Sequence, residues 1–270
     1  MPTKKPPQAP NRPPSTRGAA PPPVRKKRPG TYHHGDLKRA LMDAATALVR
    51  ERGASGFRLV EICRAAGVSQ AAYYRHFETR EQLLSELATE GFEQLRAVVE
   101  EGLGGGKDPA DAVRRGSIAY LLFARDHPAH LHLMFTAAGI EQGTLPQGPR
   151  SLRDFLSGAP CVLPESGGSA TETAFLGAVS AGQATFDALV GAFARLAQQP
   201  GKTRFWPPEA APAVAVAFWA MVHGVAVLAL EGQLGRDPWG EETQSYLRDW
   251  LVEPWLRGLA SGATKPRPGK

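Results

Sequence analysis

Between Leu59 and Phe77 the chain spaces a small residue, a glycine and a hydroxyl as two short crossing helices require. Cys63 is small enough for the crossing. Gly67 is free to take positive φ at the turn, and Ile62, Ala66, Val68 and Tyr73 offer apolar pins on both sides. Ser69 stands where its oxygen can cap the second helix as that helix enters a groove. The pattern fits a helix-turn-helix that reads nucleic acid. It also fits an ordinary helical hairpin, and spacing alone leaves both open.

Other clusters carry weaker chemistry. His127, His130 and His132 have one helical spacing suited to a metal, but Pro128 interrupts it and no Cys or carboxylate cluster completes a shell, so no metal is expected. Gly102 to Lys107 resembles a phosphate loop. Glu101 stands at the first glycine position, Asp108 replaces the Ser or Thr, and a helix rather than a strand precedes it. Neither a G-x-S-x-G nor an HExxH motif occurs, and neither an enzyme nor a cofactor is expected.

These residues need a helical frame. From Asp36 to Arg52 the residues Leu37, Leu41, Ala45, Leu48 and Val49 share one helical face, closed by Gly53. Short helices are predicted over 59–66 and 70–77. Thr79 and Gln82 form a capping box, the Thr oxygen serving the Gln82 amide while Gln82 reaches back. A long helix follows with Leu83, Leu84, Leu87, Phe92 and Leu95 as its stripe, ending in the glycines from Gly102. Further helices are predicted over 109–125, 128–138, 170–199, 209–233 and 241–259, with a loop-like stretch from Leu145 to Gly168. No segment alternates with period two, so the fold class is all-α.

Charge divides along the chain. The formal net charge is +6 over 270 residues. Residues 1–30 hold eight bases and no acid; residues 31–80 hold eight bases and five acids; the remainder is net acidic. A basic front and an acidic rear imply an anionic partner at one end. Ten prolines and little apolar surface make 1–30 a disordered tail, either a solubilising leader or a basic arm that tracks phosphates. Its PxxP spacings are what so proline-rich a segment produces by chance. Residues 261–270 form a second disordered tail. The N-terminal segment has no apolar run of the signal-peptide kind. Two cysteines, Cys63 and Cys161, fit a reducing setting, and a cytoplasmic protein is expected. Ala211 to Leu230 is long enough to span a bilayer, but its alanines, His223 and Gly224 fit a buried core or interface helix better.

Tyr32, His33, His34, Gly35, Asp36 and Leu37 lead into the first helix. Ala65-Ala66-Gly67-Val68-Ser69 and Tyr74-Arg75-His76-Phe77 then precede the capped long helix. In this order, over about residues 32–95, the chain resembles the tetracycline-repressor (TetR) family. Trp219, His223 and Gly224 in the run Trp219-Ala-Met-Val-His223-Gly224 are similar to one branch of it, and Asp126-His127-Pro128 through Leu133-Met134-Phe135 supports the same branch.

The resemblance implies a three-helix DNA-binding domain over 31–80 and a helical ligand-binding and dimerisation domain over 81–260. Gln70, Ala71, Ala72 and Tyr73 would approach base edges. Only Gln70 could bond bidentately, for example to adenine, and the alanines offer apolar contact. Tyr73 also suits the core. Tyr74 and His76 match backbone-binding positions, and Arg80 matches a phosphate-holding position beside helix N-terminal amides. The sequence departs from the family pattern at Arg58, where a Thr or Ser cap is usual, and at Val60, where a base-reading Arg is common. Arg58 would contact phosphate instead, and more weight falls on Gln70 and on DNA shape.

The implied partners are a near-palindromic double-stranded operator, a second copy joined through the last two long helices, and a hydrophobic small-molecule effector, with no membrane. Phe123, Met134, Phe135, Phe186, Trp219 and His223 are the expected effector pocket, although His223 also suits a hydrogen-bonded core position. The expected function is a ligand-responsive regulator, as a repressor released by its effector. The alternatives are a ligand-independent architectural DNA binder and an all-helical enzyme.

Overall fold

A computed structural model describes residues 34–136, 168–198 and 207–261. The N-terminal tail, Tyr32 and His33, most of the Leu145–Gly168 loop, Cys161 and the C-terminal tail beyond Ser261 lie outside the described residues. In order the elements are α1 (His34–Arg52), α2 (Leu59–Ala66), α3 (Gln70–Tyr73), α4 (Arg80–Gly104), α5 (Pro109–Asp126) and α6 (Pro128–Thr136). After the undescribed stretch come α7 (Ala170–Ala197), a 3-10 turn (Pro208–Ala210), α8 (Ala211–Leu230) and α9 (Glu241–Leu247). The last of these runs through one π-helical turn (Arg248–Val252) into α10 (Glu253–Ser261). Among the described residues there is no strand, and the fold is all-α.

Side-chain caps set several helix starts. Ser69 Oγ accepts from Ala72 N at 3.2 Å, Thr79 Oγ1 from Gln82 N at 3.0 Å, and Asp108 Oδ1 from Ala110 N and Asp111 N at 2.8 and 2.9 Å. Two local expectations are corrected. The Gln82 side chain reaches back one residue further than a capping box requires, accepting from Glu78 N at 2.7 Å. The helix expected over 70–77 is α-helical only to Tyr73. It then tightens, with His76 N bonded to Tyr73 O at 2.9 Å and Phe77 N to the same oxygen at 3.1 Å. This tightening keeps Tyr73 and Phe77 on one side, their ring centroids 5.5 Å apart, and both are buried.

Two apolar cores form, and neither belongs to one stretch of sequence. The first gathers Leu41, Ala45, Ile62, Tyr73, Phe77, Leu83 and Leu87, and also takes Leu133 from α6 and Ala178 from α7. The second gathers Leu95, Val99, Val113, Phe193, Phe218 and Val222. Thus α4 feeds the first core with its first two turns and the second with its later ones, and α7 reaches both. Full burial of each large apolar side chain contributes about 1.5–3 kcal/mol, so α4, with leucines in both cores, is tied strongly to each. At the α4–α6 crossing a β-carbon on Gly91 would lie 2.8 Å from Met134 Sδ, so a larger residue there would push the Met134 side chain aside.

The apolar α8 buries one face, through Ala215, Phe218, Val222 and Ala226, while Leu228 and Leu230 stay exposed. It is the one helix among the described residues long and apolar enough to cross a membrane, with a mean hydropathy of 2.2 in its most apolar window.

Gly67 closes α2 with φ +69°, and a β-carbon there would meet nothing within 4 Å. Its role is therefore conformational rather than steric. Gly67→Ala should lower stability by about 1–2 kcal/mol in urea unfolding. Gly104→Ala, in ordinary helical geometry with the same open space, should cost nothing. Equal effects at the two sites would refute the backbone argument.

Candidate functional site

The turn between α2 and α3 is built by backbone bonds: Gly67 N to Arg64 O at 3.1 Å and Val68 N to Cys63 O at 2.9 Å. Ile62 and Cys63 fill the crossing from below. What remains outside is Ser69, Gln70, Ala71, Tyr74 and Arg75, all exposed, with Ala72 and His76 half-buried. Tyr74 is 57% exposed, so its ring and hydroxyl are available to a partner, and it meets Tyr73 edge-on at 5.6 Å. Arg64 and Arg75 are two further exposed cations of this unit that the motif reading passed over. Their signal was the plain charge.

Arg58 is exposed and occupies the cap position of α2. A guanidinium has no acceptor, so its side chain cannot cap. Glu61 supplies the acceptor from the other side, taking Arg58 N at 2.9 Å, which holds that carboxyl below its usual range. The Arg58 side chain is left to solvent.

Two sequence-predicted contact residues are placed elsewhere. Tyr73 is fully buried and donates its hydroxyl to Thr79 O at 2.8 Å; burial pushes its pKa upward. It is a core pin and not a groove contact. Arg80 does not point outward as a free cation. Its guanidinium lies over the Phe57 ring at 4.7 Å, donates to the Ala54 carbonyl, and pairs with Glu81 at 3.4 Å. With 19% side-chain exposure it clamps the loop before α2, because the aromatic face and the carbonyl together offer more than solvent.

Ion pairs fasten this unit to the long helix. Lys38 meets Glu86 at 2.6 Å, and Arg39 Nη1 donates to both oxygens of Glu90 at 2.9 and 3.0 Å.

The second candidate site is aromatic. His223 of α8 lies 4.4 Å from Phe135 and 5.4 Å from Trp219, ring centroid to centroid. Trp219 is 5.7 Å from Phe135 and 6.4 Å from Phe186. Four of the six expected pocket residues therefore meet. The other two are buried in the core against which these rings pack: Phe123 stacks on His127 at 4.8 Å, and Met134 packs at Gly91. Two members were missed, Phe92 at 5.7 Å from Phe135 and Tyr120, whose hydroxyl is 2.7 Å from His223 Nδ1. Tyr120 was legible only as one more apolar position on α5.

Protonation states follow from this geometry. Burial raises the Tyr120 pKa well beyond the ordinary phenol value, so it keeps its proton. The phenol oxygen and His223 Nδ1 share one proton in this 2.7 Å contact, and the imidazole tautomer sets which of them donates. Burial also holds His223 neutral, below the usual histidine range.

The three histidines at the α5–α6 junction and in α6 go separate ways: His127 and His132 are exposed and His130 is buried. No group of three metal-binding side chains occurs among the described residues.

Comparison with known proteins gives both regions a common frame. The family described as bacterial regulatory proteins, tetR family, matches residues 41–87, and a tetracyclin repressor-like C-terminal domain matches 113–250. The HTH-type transcriptional regulator CymR of Pseudomonas putida is 44% identical over 61 residues, which is 23% of this chain and 28% of CymR. A protein of unknown function from Rhodococcus sp. RHA1 superposes with a TM-score of 0.58 at 29% identity, over 85% of this chain and 98% of its own. The TetR family regulator PfmR from Thermus thermophilus gives a TM-score of 0.54 at 18% identity, over 83% and 99%. AibR, solved with isovaleryl coenzyme A and operator DNA, gives 0.53 at 19%, over 81% and 97%. The last two are likenesses of fold.

Burial lowers the pKa of both His130 and His223; at His130 the field of Glu90 opposes that and those of His127 and Arg39 add to it. As pH falls the unfolded chain takes up these protons first, so stability is greatest above about pH 6.5 and declines below it. Urea midpoints measured from pH 7.5 to 5.5 should fall. The fall should be shallower in the His130→Gln, His223→Asn double variant. Parallel profiles would assign the pH dependence to other groups.

Proposed function

Because this chain belongs to the tetracycline-repressor (TetR) family of bacterial regulatory proteins, we propose that it is a ligand-responsive repressor that releases a near-palindromic operator when a small molecule occupies the aromatic cluster. The observation that carries this reading is the capped turn unit around Gly67, closed inward by Tyr73 and open outward at Gln70, Ala71 and Tyr74. Gln70 reads a base edge, Ala71 and Ala72 give apolar contact, and Ser69, Tyr74, His76 and Arg58 hold the backbone. In this reading residues 31–80 form the reader and 81–260 the sensing and pairing part, working in the cytoplasm without catalytic turnover.

A second copy pairs through α8 and the α9–α10 segment. Leu228, Leu230, Tyr246 and Trp250 support this. They are large apolar side chains left exposed there, Trp250 at 67%. A two-fold pair sets the recognition helices about 34–36 Å apart, one turn of DNA. The effector wedges among Phe135, Phe186, Trp219 and His223. Its chemistry is an apolar, planar body with a polar group for the edge of the neutral His223 ring. To swing occupancy from 1:99 to 99:1 it must prefer one state by about 5.5 kcal/mol.

The AibR structure, holding isovaleryl coenzyme A and operator DNA on one such fold, supports joining the two sites in one mechanism. An architectural DNA binder would need no such aromatic cluster.

Fluorescence anisotropy with a duplex from the protein's own upstream DNA tests the reader. Tyr74→Ala should weaken specific and unrelated duplexes alike. Gln70→Ala should instead relax preference at one base pair by about 1–3 kcal/mol. Identical behaviour of the two variants would sink this division of roles.

A further inference from the structure

The geometry points to Thr171, on the first turn of α7, as a positioning residue for the DNA reader, holding the recognition helix through Thr79. This inference rests on the regulator reading and adds to it a route between the two sites. Thr171 Oγ1 and Thr79 Oγ1 are 2.7 Å apart, hydroxyl to hydroxyl, across 92 residues of sequence. Thr79 is the point where the reader is anchored. Its carbonyl takes the hydroxyl of Tyr73, the last residue of α3, at 2.8 Å, and its side-chain oxygen caps α4 through Gln82 N at 3.0 Å. Three helices thus converge on one residue: α3 on its carbonyl, α4 and α7 on its hydroxyl. The protons balance. Thr79 Oγ1 accepts from the Gln82 amide, and between the two threonines one hydroxyl donates to the other.

The helix that carries Thr171 also reaches the aromatic cluster. Ala178 is fully buried in the first core, and Phe186, near Trp219, packs against the second. Thr185 Oγ1, which donates to Ala181 O at 2.9 Å, also lies 3.2 Å from Phe92 O, and Gly182 lets the Phe92 ring approach so closely that a β-carbon there would sit 3.1 Å from it. From Thr171 to Phe186 is about 22 Å along one continuous helix. A shift of α7 at Phe186 therefore arrives at Thr79 as a displaced hydroxyl. The α4 cap and the Tyr73 hydroxyl must follow or let go. Held in place, the contact fixes α3 before DNA arrives and lowers the ordering cost of binding.

The test compares Thr171→Val, which keeps the shape and removes the hydroxyl, with Thr171→Ser, which keeps the hydroxyl. Thr171 is half-buried, so both variants should fold; Thr171→Ala serves as a second deletion of the hydroxyl. On the protein's own upstream duplex, Thr171→Val and Thr171→Ala should bind about two- to tenfold more weakly, and Thr171→Ser like wild type. Amide exchange in the DNA-free protein should quicken over residues 73–82 in the valine variant, with α1 and α8 unchanged and serine restoring protection. A valine variant with wild-type affinity overturns the positioning role alone. Weakened binding that serine fails to rescue, or exchange that quickens everywhere, also overturns it, because either marks a general packing defect. If the wild-type protein binds no DNA saturably, the regulator reading fails and this role fails with it, while the exchange result still reports whether the hydroxyl contact holds the turn.

Discussion

The structure depends on one constraint: α4 is packed into two cores at once. Leu83, Leu84 and Leu87 close the reader's core, and Leu95, Val99 and Leu103 close the core of the other part. A close-packed interior does not deform gradually, so a helix anchored in this way moves as a unit or not at all. The ion pairs of Lys38 and Arg39 with Glu86 and Glu90 lie at the first of these anchors. They are half-exposed and contribute little to stability, but they fix the rotation of α1 about α4. The α7 helix repeats the arrangement from the other side, with Ala178 in one core and Phe193 in the other.

Polar groups inside this frame are few and are oriented by one another. The contact of the Tyr120 hydroxyl with His223 Nδ1 is an example, since burial keeps the phenol protonated and the imidazole neutral. A neutral histidine offers a polar edge without placing a net charge among the rings. That is cheaper in an apolar setting than a buried ion. At the reader a similar substitution of roles appears in Glu61. It accepts the amide of the cap residue Arg58, the half of the α2 start that does not need a hydroxyl there, and Arg58 is left to solvent.

Much of this was legible in the sequence where local rules govern. Gly67, Ser69 and Thr79 act at the positions where a turn, a cap and a second cap were expected, because backbone groups at helix ends need partners within three or four residues. The α-helical character of each described segment followed from apolar spacing. Tyr73 and Arg80 were harder, because a tyrosine or arginine at the edge of a motif suits core and groove equally. Only the depth of the first core and the position of the Phe57 ring decide between them. Phe92 and Tyr120 were missed for a related reason: nothing near them in sequence marks them as neighbours of His223.

The charge asymmetry, the all-helical pattern, the turn chemistry from Leu59 to Phe77 and the family of the chain were determined by the sequence alone, since each rests on contacts or motifs short enough to read in a line. The tertiary structure decided which tyrosine faces outward, that Tyr120 meets His223, and that Thr79 meets Thr171. The physical reason is distance along the chain. Those outcomes are set by groups 92 to 103 residues apart, or by burial that many elements create together, and no local pattern encodes where such partners will meet.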